Sequence, residues 1–225
     1  MKNSEREARL TDKKKKRSRA IYSPFISAGV IPLDRLKKLV DVMEAEGAKN
    51  VKLGGEIIFV WDRPDAPPGL PGKTGFESNQ FKFGGVRSVK MCSAETFCER
   101  FQKPVLDLAF KIDKLYHNAR LEMKVMIGVA GCQRSCSEPS TKDIGVRAHP
   151  QGYEILVGGS AGMNPQVGSS IGIVSTSDEV LEVIGAILDY LKRYGKKNAR
   201  LGRVINKRGI EEFKQEVLKK TVRKL

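Results

Sequence analysis

Histidine is scarce in this chain, with two among 225 residues, and there are only four cysteines. His117 and His149 both lie away from every cysteine in sequence, so neither joins them in a short mixed Cys/His metal motif. Aromatic residues make up 7% and none is interleaved with the basic runs. Stacking platforms for single-stranded nucleic acid need such aromatics, so nucleic-acid binding is not expected. Apolar runs are short, Val125–Ala130 being typical, so no transmembrane helix is expected. The N-terminal residues carry charge but no apolar core, unlike a secretory leader. The glycines at Gly158–Gly162 do not follow a dinucleotide pattern in a strand–turn–helix, so flavin and nicotinamide fingerprints are missing too. The expectation is a cytoplasmic, reducing compartment. There, paired cysteines serve metal or redox chemistry more often than disulfides.

Charge is abundant but uneven. Residues 1–19 carry nine Lys/Arg against three Asp/Glu, and residues 192–225 carry thirteen against three. The remaining 172 residues sum to −1, so a nearly neutral body lies between two basic ends. Residues 1–18, with the run Lys13–Arg17, read as a flexible basic arm. Phosphate neutralisation and docking of an acidic electron-transfer protein are two uses for such charge.

The apolar pattern predicts an α+β fold with mixed sheets. Ala20–Ile26 reads as a strand. A helix follows from Pro32, with Leu33, Leu36, Val40 and Met43 on its apolar face and Gly47 at its end. Asn50–Leu53 and Glu56–Trp61 read as strands broken at Gly54-Gly55. A Pro/Gly-rich stretch from Asp62 to Gly85 separates a first domain, 19–83, from a second, 84–225. In the second, Val86–Met91 reads as a strand and Glu95–His117 as a helix interrupted at Pro104. Met123–Ala130 reads as a strand buried on both faces, with further strands near Asp143–Ala148 and Tyr153–Val157. Thr176-Ser-Asp-Glu179 is a capping-box pattern opening a helix that ends at Gly195, and a basic helix is expected over Gly209–Lys220.

The four cysteines fall in two pairs, Cys92-x5-Cys98 and Cys132-x3-Cys136, 33 residues apart. Zinc knuckles use spacers of about two to four residues, which suits the second pair better than the first. Iron–sulfur clusters also take four thiolates, and both pairs follow a predicted buried strand, where α/β proteins place cofactors. Cluster and structural zinc are therefore the two readings of the spacing. A zinc-stabilised, basic nucleic-acid-binding domain is the functional counterpart of the second.

The segments around the cysteines resemble the sulfite and nitrite reductases that couple siroheme to a 4Fe–4S cluster. The resemblance rests on Val86-Arg-Ser-Val89 before Cys92, Lys124-Val-Met-Ile-Gly-Val-Ala-Gly-Cys132, Lys142-Asp-Ile-Gly145 and Val157-Gly-Gly-Ser-Ala-Gly162. Ile26–Leu36 is similar to the start of that family's ferredoxin-like half-domain. The match spans roughly residues 20–215. It implies a ferredoxin-like half-domain followed by a siroheme and 4Fe–4S domain, with a mixed sheet flanked by helices. It implies that Cys92, Cys98, Cys132 and Cys136 hold the cluster and that Cys136 also bridges to the siroheme iron. It implies that Arg87 and Lys124 face the anionic substrate, sulfite or nitrite. Arg134, Lys142 and Arg147 would clamp siroheme carboxylates, and Gly158, Gly159 and Gly162 would admit the macrocycle. An electron-donor protein is implied as partner. Three departures stand out. The chain carries one half-domain and one cluster domain where the family has two of each, which leaves a homodimer as a way to rebuild the pair. Met126 replaces the second lysine of a Lys-x-Lys, and Gly54-Gly55-Glu56 stands where a Thr-x-Arg is usual.

Overall fold

A computed structural model describes residues 19–79 and 84–219, so the basic arm at 1–18 lies outside the described residues. The chain divides into two compact units. One comprises residues up to Phe25 with Ile31–Asn79, and the other Ile26–Val30 with residues from Gln80 onward.

The first unit runs β1 (Ala20–Tyr22), α1 (Leu33–Ala45), β2 (Asn50–Lys52), β3 (Ile58–Trp61) and the single-turn α2 (Leu70–Thr74). Its three strands order β1-β3-β2, each outer strand antiparallel to β3. Helix α1 follows Pro32 as expected and ends in a Schellman closure. Gly47, at φ 79°, donates to Glu44 O (2.9 Å), and Ala48 donates to Met43 O (3.0 Å). Its buried face differs from the expected one. Leu39 and Met43 are buried, whereas Leu33 is 80% exposed and Val40 is also exposed. Both sets satisfy helical spacing, and only burial in the folded unit, which Phe59 and Trp61 of β3 share, distinguishes them.

The second unit holds a five-stranded mixed sheet of order β10-β9-β8-β7-β5. Its strands are β5 (Lys90–Met91), β7 (Ile127–Ala130), β8 (Ile144–His149), β9 (Gly152–Val157) and β10 (Ser169–Val174). β5, β7 and β8 are parallel, and β8, β9 and β10 are antiparallel. β10 was not anticipated, since its Ser169, Ser170 and Gly172 dilute the apolar signal. A separate parallel pair joins β4 (Gly85–Val86) to β6 (Lys124–Val125). The expected strands Val86–Met91 and Met123–Ala130 are therefore each broken once. Carboxylates occupy the breaks: Asp113 accepts from Val89 N (2.9 Å), and Asp143 from Met126 N (2.8 Å). All four β7 residues are buried, as the apolar run predicts.

Helix α3 (Leu106–Tyr116) begins only after Pro104. The rest of the expected Glu95–His117 helix is a short 3-10 turn, Ala94–Thr96, followed by loop. Phe97, Phe101 and Leu115, expected on its apolar face, are exposed, while Val105, Leu108, Ala109 and Ile112 are buried. Helix α4 (Ser177–Tyr194) carries the predicted capping box: Thr176 Oγ1 accepts from Glu179 N, and Glu179 accepts from Thr176 N. The helix expected over Gly209–Lys220 is α6 (Ile210–Leu218), and an unanticipated α5 (Leu201–Arg208) precedes it, the two parted at Gly209 with φ 96°. Among the described residues, no helix is long and apolar enough to cross a membrane.

Candidate metal centre

Parallel register brings the two cysteine pairs together. Met91 pairs with Val129, so Cys92 leaves β5 beside the residues that lead β7 into Gly131-Cys132. Cys92 N still donates to Val129 O at 3.2 Å, and Cys98 N closes a turn onto Ala94 O at 2.8 Å. Gly131 is constrained here: a Cβ would lie 3.0 Å from both Ala94 Cβ and Lys103 O. Its N–H donates to Cys92 Sγ at 3.2 Å, and its carbonyl accepts from Gln102 N and Lys103 N. Hydrogen bonds to sulfur are one way a protein sets an iron–sulfur potential.

All four cysteines line one cavity of about 230 Å³, with Ala94, Phe101, Arg100 and Arg134 on its wall. One water occupies about 30 Å³ of liquid, so the space suits a multi-atom core. Among the described residues, no three Cys, His, Asp or Glu side chains gather as a single-ion site. A zinc ion would draw four sulfurs to about 2.3 Å from one point. The four thiols line one cavity, whose size also accommodates a polynuclear cluster. No carboxylate lines it, and besides the cysteines its polar residues are Ser93, Arg100 and Arg134. The four differ in burial: Cys132 is buried, Cys92 and Cys98 half-buried, and Cys136 exposed.

Glu95, between the first two cysteines, was not anticipated. Its carboxylate accepts from Val105 N (2.9 Å) and Leu106 N (2.7 Å), capping α3 from ten residues upstream. Local capping motifs span about three residues, so no pattern in the sequence announces it. On the other side, the segment after Cys136 crosses the sheet over two glycines paired between β7 and β8, Gly128 and Gly145. A Cβ at either would run into Pro139, at 3.2 Å from its Cα and 2.4 Å from its O respectively.

The remaining expected residues fall in several places. Arg134 lines the cysteine cavity. Arg87 is 8% exposed and Lys124 is exposed. In the β4–β6 ladder Lys124 pairs with Gly85, Arg87 lies just past its end with its N–H donating to Val125 O (2.9 Å), and neither lines the cavity. Lys142 pairs with Glu138 at 3.2 Å. Arg147 binds Glu154 through Nε (2.9 Å) and a terminal nitrogen (2.5 Å). Burial pushes the Glu154 carboxyl up, but hydrogen bonds from Arg147 and Ser170 outweigh it and hold the group below its usual range. Gly158 and Gly162 line a second cavity that shares no residue with the first. Val157 pairs with Ile144, which pairs with Ile127. These glycines therefore sit at the opposite end of the sheet from Cys132, roughly 16 Å along the strands. Gly159 is required by the chain itself, because a Cβ would lie 2.2 Å from Ser140 O. His149 accepts from Gln151 N in the β8–β9 turn.

Four thiols lining one cavity at the strand ends of a mixed sheet form a candidate iron–sulfur centre. The chain belongs to the family described as the nitrite and sulphite reductase 4Fe-4S domain, whose model matches residues 83–225. It is 30% identical over 182 residues to the nitrite reductase [NAD(P)H] of Bacillus subtilis, a stretch covering 75% of this chain and 21% of that protein. It is 26% identical over 133 residues to an assimilatory-type sulfite reductase of Nitratidesulfovibrio vulgaris, covering 59% of this chain and 61% of the relative. The chain thus spans from about a fifth to three fifths of these two relatives. The crystal structure of dissimilatory sulfite reductase I matches with a TM-score of 0.74 at 15% identity, over 88% of this chain and 68% of that one. The Mycobacterium tuberculosis NirA protein matches at 0.66 and 16%, over 88% and 39%. These structural matches show the same fold.

Proposed function

We propose that the protein reduces sulfite or nitrite at a siroheme iron joined to a 4Fe–4S cluster through the Cys136 thiolate. The asymmetry of the four cysteines carries this reading. Cys132 is buried and Cys92 and Cys98 are half-buried, while Cys136 alone of the four is exposed and open to a second group. Siroheme, when bound, supplies an iron that takes the anion and passes electrons into it. The chain's own contribution is to fix four sulfurs, keep carboxylates off the cluster and set positive charge nearby. Arg134, on the cavity wall, would meet a macrocycle carboxylate, with Lys142 and Arg147 as further rim residues once released from Glu138 and Glu154. Arg87, just past the β4–β6 ladder, and Lys124 within it would supply charge for the substrate anion. An acidic electron-donor protein would meet the basic surface, and the cytoplasm is the compartment proposed. A homodimer would supply the second half-domain.

The test is the absorption spectrum of anaerobically purified protein supplied with siroheme. Siroheme bands that change in the Cys136→Ser variant support the bridge; a siroheme spectrum untouched by that variant refutes it. Met126 and Glu56 favour a second reading, a cluster-bearing electron-transfer or sensing module without turnover. Steady sulfite or nitrite consumption with a reduced dye would eliminate it. Zinc without iron or acid-labile sulfide on metal analysis would eliminate both.

A further inference from the structure

The second cavity has the composition of a binding site in its own right. It measures about 420 Å³, within the range of small-molecule pockets. Its floor is backbone. Gly158 at the end of β9 and Gly202 at the start of α5 approach so closely that a Cβ on Gly202 would lie 2.2 Å from Gly158 O. One wall is α5, which presents Arg203 and Asn206. The other is the Ser160–Gln166 hairpin, closed by reciprocal backbone bonds of 2.8 and 2.9 Å and carrying Met163, 98% exposed, at its tip. An amide pair, Gln166 with Asn206, ties the hairpin to the helix at 3.1 and 3.4 Å.

The charge is one-sided. Arg200 and Arg203 line the space and no carboxylate does. Arg200 already binds Asp143 beneath it at 2.7 Å, so its charge is largely balanced. Arg203 is exposed, and none of its side-chain nitrogens has a hydrogen-bond or ion-pair partner among the described residues. Lys207, one turn on, extends the same positive face.

We propose that this cavity binds a small organic oxyanion, a carboxylate or phosphate ester, gripped by Arg203 and oriented by the Gln166–Asn206 amides. The proposal is independent of the cluster reading, since no cysteine lines this cavity and the glycine floor is explained by the fold. A guanidinium–oxyanion pair is charge-assisted and bidentate, and its loss weakens binding about tenfold or more.

The test is isothermal titration calorimetry of the cluster-loaded protein at low ionic strength with inorganic phosphate, citrate and adenosine monophosphate in separate arms. Saturable binding of citrate or the nucleotide, weakened about tenfold by Arg203→Ala and partly restored by Arg203→Lys, supports the site. The arm that binds names the carboxylate or the phosphate source. Binding of phosphate alone, equal binding to the Arg203→Ala protein, or no binding in any arm overturns it. A shift of the cluster's visible spectrum on saturation also overturns it, because it places the anion at the cysteines.

Discussion

Removing the Glu95 carboxylate should loosen the cluster without touching a ligand. Val105 N and Leu106 N are the first donors of α3, and Glu95 takes both at 2.9 and 2.7 Å. In Glu95→Ala these N–H groups lose their acceptor and turn to solvent. Loss of one helix cap costs about 0.5–2 kcal/mol. Two charge-assisted bonds at a half-buried site place the change near the upper end, about 2 kcal/mol. For a domain of this size each kcal/mol shifts Tm by about 2–4 °C, so the melting point should fall by about 4–8 °C. Glu95→Gln keeps one acceptor without the charge and should fall about half as far. The same carboxylate anchors the Cys92–Cys98 loop to the body, so cluster bleaching in air should quicken in the order wild type, Gln, Ala. The assay pairs differential scanning calorimetry with the decay of visible absorbance. An alanine variant that melts with the wild type, or melts early while bleaching at the wild-type rate, refutes the link between cap and cluster.

Other outcomes follow from single contacts. Asp143 is 0% exposed and accepts from Met126 N, Leu201 N and Arg200, so Asp143→Ala orphans all three and should cost about 3–5 kcal/mol by denaturant titration. Glu154 has a folded pKa below its unfolded one, so its stabilising contribution is present above the unfolded value and vanishes as pH falls through the folded one. Arg147→Met leaves burial to raise that carboxyl, and acid unfolding, followed by circular dichroism, should begin at a higher pH. Thr176→Ala breaks the capping box of α4 and should cost about 1 kcal/mol, with cluster content unchanged on iron analysis.

Features governed by neighbours in sequence were readable before the fold was known. The Thr176–Glu179 box, the closure at Gly47 and the doubly buried β7 all depend on residues within a few positions of one another. What failed required partners far along the chain. Leu33 and Leu39 offer equivalent helical stripes until the folded unit buries one. Strand breaks at Met126 and Val89 exist because Asp143 and Asp113 arrive from elsewhere to take their N–H groups. The cysteines were legible as a set, and their strand-end positions follow from the apolar runs before them. Their inequality was not legible from spacing, because exposure of Cys136 depends on how the later chain folds back.

That fold-back has a mechanical meaning. The notch made by Gly128 and Gly145 accepts Pro139, which stands three residues after Cys136. The chain leaving the outermost sulfur is thus seated on two neighbouring strands of the five-stranded sheet, β7 being buried along its whole length. A methyl group added at either glycine would lift Pro139 and pull on Cys136 like a lever with a short arm, so a strand interior governs the reach of a thiolate at the surface. The position of that thiolate can therefore be altered from inside the sheet, leaving the residues exposed around it unchanged.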